Sequence, residues 1–367
     1  MAKVERIEPT QLPNGLWLDG NEYASENGEE SSGVLSLVAG ETDGYRVGPE
    51  LDLSAISDVT NSKLEWTSSG DAEVLAAVSE VSANGSIRGD GVDDYINYHT
   101  LGNTGSDIVT KGIEITFWVK NFTTDKAALF GSSSRKSGDE TQDSAFYLDI
   151  NNALDNIRLV YRGTDSFVNI TTITNTSIND DEWHFIKVTI TPGASNMTLE
   201  LHFDDLSDTS TYPLESKDFV NDFLILAHEN RGSIENYSNC VMSYFKMSNA
   251  DGIIVNSPLD DPPGSTTARD ISGNNNDGTI VGASYSPDNP LLQAATNGQA
   301  IPGVTPGADL AGKKLYTQQR FSRDTTGDPS PTLTELKATV EGAGGALPLI
   351  NGGLIRSAHT QSNTMIR

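Results

Sequence analysis

The chain has 367 residues and one cysteine, Cys240, so no disulfide can form within it. The fold must therefore hold by burial and hydrogen bonding alone. Basic residues are scarce: 24 Lys and Arg stand against 51 Asp and Glu, a net charge of −27. Nucleic-acid binding needs cations to replace the counterions on phosphates, so that class is excluded, as is docking on anionic lipid. No apolar stretch approaches the roughly 18 residues of a membrane-spanning helix. The opening MAKVERIEPTQLPNG lacks the apolar core of a secretory leader, which leads us to expect a chain made in a cytoplasm. Zinc spacing, a nucleophile elbow, a phosphate loop and a dinucleotide fingerprint are all missing, and so are the alternating carboxylates of a jelly-roll glycosidase. The expectation is a protein without catalytic activity.

Hydrophobic residues make up 36% of the chain and charged residues 20%, both below ordinary globular values. Gly, Ser, Thr, Asn and Asp fill the difference. These residues favour turns and sheet edges, so the composition points to a loop-rich all-β protein. The acidity serves solubility or, alternatively, a cation or a cationic partner.

Alternation is cleanest between about 81 and 288. GIEITFWVK sets Ile113, Ile115, Phe117 and Val119 on one face and Glu114, Thr116, Trp118 and Lys120 on the other. DEWHFIKVTIT groups Ile186, Val188 and Ile190, and MTLELHFDD groups Leu199, Leu201 and Phe203. Turn residues recur about every ten positions, the rhythm of an antiparallel sandwich. Outside this region we expect an N-terminal β-rich arm (1–80) and an extended Gly/Pro/Thr-rich C-terminal arm (289–367), neither with a core of its own. Asp71–Val81 reads as a short helix or a strand. ASENGEESSG reads as a polar, mobile stretch. LTELKATVEGAGGALPLINGGLIR reads as a helix followed by an apolar tail.

Four segments carry a resemblance: GSIRGDGVDDYINY (85–98), ITFWVK (115–120), DDEWHFIKVTIT (180–191) and DISGNNNDGTIVGA (270–283). In that order they resemble the laminin-G-like, concanavalin-A-like jelly rolls of bacterial and viral proteins. The resemblance covers about 200 residues and not the flanks. It implies an antiparallel jelly-roll sandwich whose core includes Ile115, Phe117, Trp118, Trp183, Ile186 and Val188. The two Trp residues are read as structural, with sugar stacking as the alternative.

The resemblance also implies a function. Phage fibre, decoration and adaptor proteins are similar, with an exposed jelly roll and arms threaded into neighbours. The expectation is a virion structural protein of a tailed bacteriophage, contacting other virion proteins and copies of itself in a three-fold assembly. The alternative is a lectin-like adhesin that stacks a host surface glycan on Tyr98, Tyr161, Tyr212 or Tyr237. No cofactor is required. Calcium is the possible ion, through rim oxygens drawn from Asp93, Asp94, Asp139, Asp143, Asp270, Asn274, Asn276 and Asp277. The last four also suit a tight turn, because Asn and Gly tolerate a left-handed backbone. His184 is read as a packing histidine, Asp204 and Asp205 as the start of a turn, and Cys240 as a buried, inert thiol.

Overall fold

A computed structural model describes residues 2–8, 16–99, 104–121, 127–133, 145–151, 156–162, 168–174, 180–214, 222–230 and 233–343. The chain divides into two compact units, one of residues 85–290 and one of residues 1–84 with 291 onward.

The 85–290 unit is an antiparallel jelly-roll sandwich of two eight-stranded sheets. Ile113–Lys120 lies centrally in the second sheet, between His184–Pro192 and Val241–Asn249. Its burial alternates residue by residue. Ile115, Phe117 and Val119 are fully buried, as are Ile186 and Val188 opposite them. The first sheet supplies Phe130, Phe146, Leu148, Leu159, Tyr161 and Phe223 to the same core. Phe117 meets Phe130 edge-on across the two layers, ring centres 6.1 Å apart. Each such side chain contributes roughly 1.5–3 kcal/mol of burial, which is what seats the sheets on each other.

Two expectations for this unit are corrected. Trp118 lies on the face opposite Ile115 and Phe117, as the alternation gives, but that face is only half-buried and Trp118 stays outside the core cluster. It packs beside Phe185, ring centres 5.3 Å apart. Trp183 precedes the strand that begins at His184 and is likewise half-buried, outside the core cluster. The period of two sends every second side chain outward whatever its polarity. A short helix, Thr104–Lys111, was not anticipated, and its Ile108 is buried in the core.

The flanks are corrected more fundamentally, because they build a second β unit with its own core. Val4, Trp17, Leu35, Leu64, Val74, Leu315, Phe321, Leu333 and Val340 cluster together, drawn from both ends of the chain. Thr332–Ala343, read as helix, is a strand that pairs with Ala2–Glu8 on one side and Ser57–Ser69 on the other. Asp71–Ser79 is also a strand, paired along its whole length with Lys314–Ser322. Residues 74–77 are buried in an unbroken run, which erased the alternation that would have marked a strand. The ASENGEESSG stretch forms strands Ala24–Glu26 and Gly28–Ser31. Each arm lacks a core only when read apart from the other. The apolar tail after Ala343 lies outside the described residues.

Candidate functional site

Two of the four candidate tyrosines are interior. Tyr98 and Tyr161 are 0% exposed. Tyr98 stacks on Phe245 and Tyr161 meets Phe146 edge-on, so neither can offer a face to a sugar. Tyr212 is half-buried, and its hydroxyl is committed to the backbone of Ile170: it donates to the carbonyl at 2.7 Å and accepts from the amide at 3.2 Å. That contact ties the Leu206–Pro213 strand to Val168–Thr174. Tyr237 likewise donates its hydroxyl to a backbone carbonyl, that of Ile234 at 3.2 Å, but it lies next to a second surface tyrosine. It is half-buried beside Tyr95, ring centres 6.5 Å apart and tilted by 34°.

The tyrosine pair adjoins the turn that leads into the Tyr95–Tyr98 strand. Asp90, Asp93 and Asp94 bring carboxylate oxygens within 4.8 Å of one another there. Local chemistry shapes this turn. Asp90 accepts from the Val92 amide, Asp94 accepts from the Asp90 amide, both at 2.7 Å, and Gly91 takes a positive φ of 81°. Val92 is thereby pushed out to 68% exposure. Asp94 is buried, and that burial, joined by the charges of Asp90 and Asp93, raises its pKa despite the opposing bond from the Asp90 amide. Asp93 and Asp94 were among the calcium candidates; Asp90 was missed, although its place two residues before Val92 is that of a turn-closing Asp. Asp139 and Asp143 lie outside the described residues.

In the 270–277 loop, Asp270, Asn274, Asn276 and Asp277 are engaged in turn chemistry, one of the two readings open to them. Asp270 accepts four hydrogen bonds, from the amides of Asn256, Ser272 and Asn276 and from the Ser272 hydroxyl. Asp277 accepts from the Asp270 amide. Asn274 and Asn276 turn their NH₂ groups onto the carbonyls of Ile253 and Ile254. Side chains that donate to backbone carbonyls are aimed as staples rather than as ligands. Burial works to raise the Asp270 pKa, but these bonds outweigh it and hold the group below its usual value. A depressed carboxylate stabilises the fold above its unfolded pKa, and that contribution disappears as pH falls through the folded one. We therefore expect Asp270→Asn to cost about 2 kcal/mol at neutral pH. The difference from wild type should shrink below about pH 4, as urea melts at several pH values would show.

His184 is buried and stacked on Phe203, with Nδ1 2.7 Å from Asp204 and Nε2 3.0 Å from Asp180. Asp204 also accepts from the Phe185 amide and sits in a left-handed turn at φ 50°. This group staples two turns together. Glu200 is bonded to His202 at 2.7 Å, so Glu200 and Asp204 serve different partners. Cys240 is buried, which pushes its thiol pKa up.

No family model and no curated protein matches this chain. Solved structures with a similar course include the carbohydrate-binding module (CBM40) of the Ruminococcus gnavus IT-sialidase, at 13% identity and a TM-score of 0.34. The match spans 46% of this chain and 91% of that module. Domains LG4-5 of the mouse laminin alpha1 chain match at 14% identity and a TM-score of 0.34, over 62% of this chain and 48% of theirs. Tailspike protein 2 of an Escherichia coli O157:H7 bacteriophage matches at 12% identity and a TM-score of 0.36. This chain spans less than a third of that tailspike's length, while 57% of it is matched.

Proposed function

We propose that this chain is a non-catalytic, lectin-like binding protein, and that the Tyr95–Tyr237 pair is its glycan platform. One observation carries the reading: two half-buried rings side by side, bordered by the Asp90, Asp93 and Asp94 carboxylates. Flat aromatic faces suit the C–H face of a pyranose, and carboxylates accept bonds from its hydroxyls. A glycan array should return a hit that Tyr237→Ala weakens about tenfold or more while the fold, followed by circular dichroism, stays intact. Repeating the array in EDTA decides whether a divalent ion belongs to the rim. An array blank across all glycans, or binding unmoved by Tyr237→Ala, would sink the assignment.

A second reading places the protein on a phage particle. Its first support, arms without cores, has fallen away. A different observation takes its place: the sandwich is inserted within the other unit, so both of its ends are anchored in a folded carrier. Such a build suits a binding module carried within a second folded unit. We propose self-association of the carrier into a three-fold assembly. Light scattering should then give three times the 39.3 kDa chain mass, and a monomer at micromolar concentration would count against it.

A further inference from the structure

We infer that the tyrosine platform continues along the Tyr95–Tyr98 strand into a second sugar subsite built on Asn97, and that this face takes neutral, hydroxyl-rich oligosaccharides and rejects acidic ones. The subsite rests on the tyrosine-platform reading and extends it. Ile96 and Tyr98 point into the core, so Tyr95 and Asn97 share the outward face of their strand. Two residues of strand separate them by roughly 7 Å, which leaves room for one further sugar unit beyond a ring stacked at Tyr95. Asn97 is 7% exposed. Its Nδ2 donates to Asp222 Oδ2 at 2.7 Å, and because a carboxylate only accepts, that bond fixes which way the amide faces. Its Oδ1 is buried and has no hydrogen-bond partner among the described residues. A buried oxygen left unpaired is costly, and a ligand that brings it a donor removes the cost.

The neighbouring strands leave an approach to it. Asn97 is cross-strand from Leu224 on one side and from Thr279 on the other. Leu224 is buried, whereas Thr279 is exposed, as is Val281 opposite Tyr95. The face is therefore closed towards Phe223–Ile225 and open towards Gly278–Val281. A sugar unit lying over Val281 and Thr279 has the Asn97 amide at its inner edge. Charge then sets the class of sugar. Asp90, Asp93 and Asp94 stand at the tyrosine end, and Asp222, 3.0 Å from His99 Nδ1, stands at the other. Burial raises the Tyr237 pKa, and Tyr95 and the Asp93 charge raise it further, which puts that carboxylate near the rings. Among the described residues none of these four aspartates is ion-paired to a lysine or arginine. Carboxylates and an amide oxygen accept and do not donate. The ligand must supply the donors, as hydroxyls or as the N–H of an acetamido group. A uronate or sialate carboxylate would meet like charge at both ends.

The full chain is tested on an array of neutral mono-, di- and trisaccharides printed beside uronic-acid- and sialic-acid-bearing chains of the same lengths, and the best hit and its monosaccharide are then titrated by calorimetry. Hits should fall among neutral chains longer than one unit, bound about tenfold or more tightly than the monosaccharide. Asn97→Ala should remove most of that gain with length and leave the monosaccharide affinity unchanged. Thr279→Val, an exposed and nearly isosteric change, should reduce the gain severalfold, and it carries the test if circular dichroism shows that Asn97→Ala does not fold. Tyr237→Ala should lower binding at every length. A blank array would remove the platform and the subsite together. Binding that Tyr237→Ala weakens but that neither Asn97→Ala nor Thr279→Val changes would overturn the subsite and leave the platform standing. A preference for the acidic chains would overturn it as well.

Discussion

Arg46→Ala is expected to destabilise the terminal unit by about 3 kcal/mol, through loss of a buried cation that serves a buried carboxylate and three further acceptors. Arg46 is 0% exposed. Its guanidinium donates to the Trp17 carbonyl at 2.6 Å, to Glu8 at 2.8 Å, to Gln319 at 2.8 Å and to the Asn21 carbonyl at 3.3 Å. It also lies over the Trp17 ring, 5.1 Å from its centre. Glu8 is almost as deeply buried, with Arg6 as its other partner. Removing Arg46 leaves Glu8 with Arg6 alone, takes the donor away from the Trp17 carbonyl and from Gln319, and opens a space against Trp17. Urea unfolding should show the terminal unit's transition moving to lower denaturant while that of the sandwich holds its place. The paired variant Arg46→Met, Glu8→Gln should recover a large share of the loss, because no charge is then left buried alone. A midpoint unchanged by Arg46→Ala would mean that the network contributes nothing net.

The second large effect concerns the C-terminal strands. A chain ending at Pro290 should keep a folded sandwich and lose the fold of residues 1–84 altogether. Ala2–Glu8 and Ser57–Ser69 are held together by Thr332–Ala343, which lies between them. Asp43–Val47 and Asp71–Ser79 are likewise joined by Lys314–Ser322. Without these two strands each sheet loses its middle member, and Leu315, Phe321, Leu333 and Val340 leave the core. Limited proteolysis of the truncated chain should yield a fragment that starts near Gly85, whereas the full chain should resist cleavage before residue 80. Survival of the N-terminal residues in the truncated chain would contradict the interleaved arrangement.

Legibility in the sequence followed distance along the chain. Strands such as Ile113–Lys120 and His184–Pro192 were readable because one face is buried and the period is two. The turn at 270–277 was readable as either staple or ligand set, and only the donor direction of Asn274 and Asn276 separates the two. The rim of Tyr95, Tyr237 and three aspartates was half visible. Asp93, Asp94 and Tyr237 stood out by residue type, but about 140 residues separate the aspartates from Tyr237, and the pairing of Tyr95–Tyr98 with its neighbours was needed to complete the rim. Tyr98 and Tyr161 were misjudged because a tyrosine's polar tip does not reveal whether its ring points inward.

Composition and alternation by themselves determined the all-β class, the antiparallel sandwich and the inward aliphatic positions of its regular strands, because these depend on the solvent preference of side chains a few residues apart. Tertiary structure alone decided that the two ends share one core. It also decided which aromatics reach the surface and that Arg46 is buried with Glu8 and Gln319. The shared core depends on strands about 235 or more residues apart being hydrogen-bonded side by side, and such long-range pairing leaves no local periodicity to read.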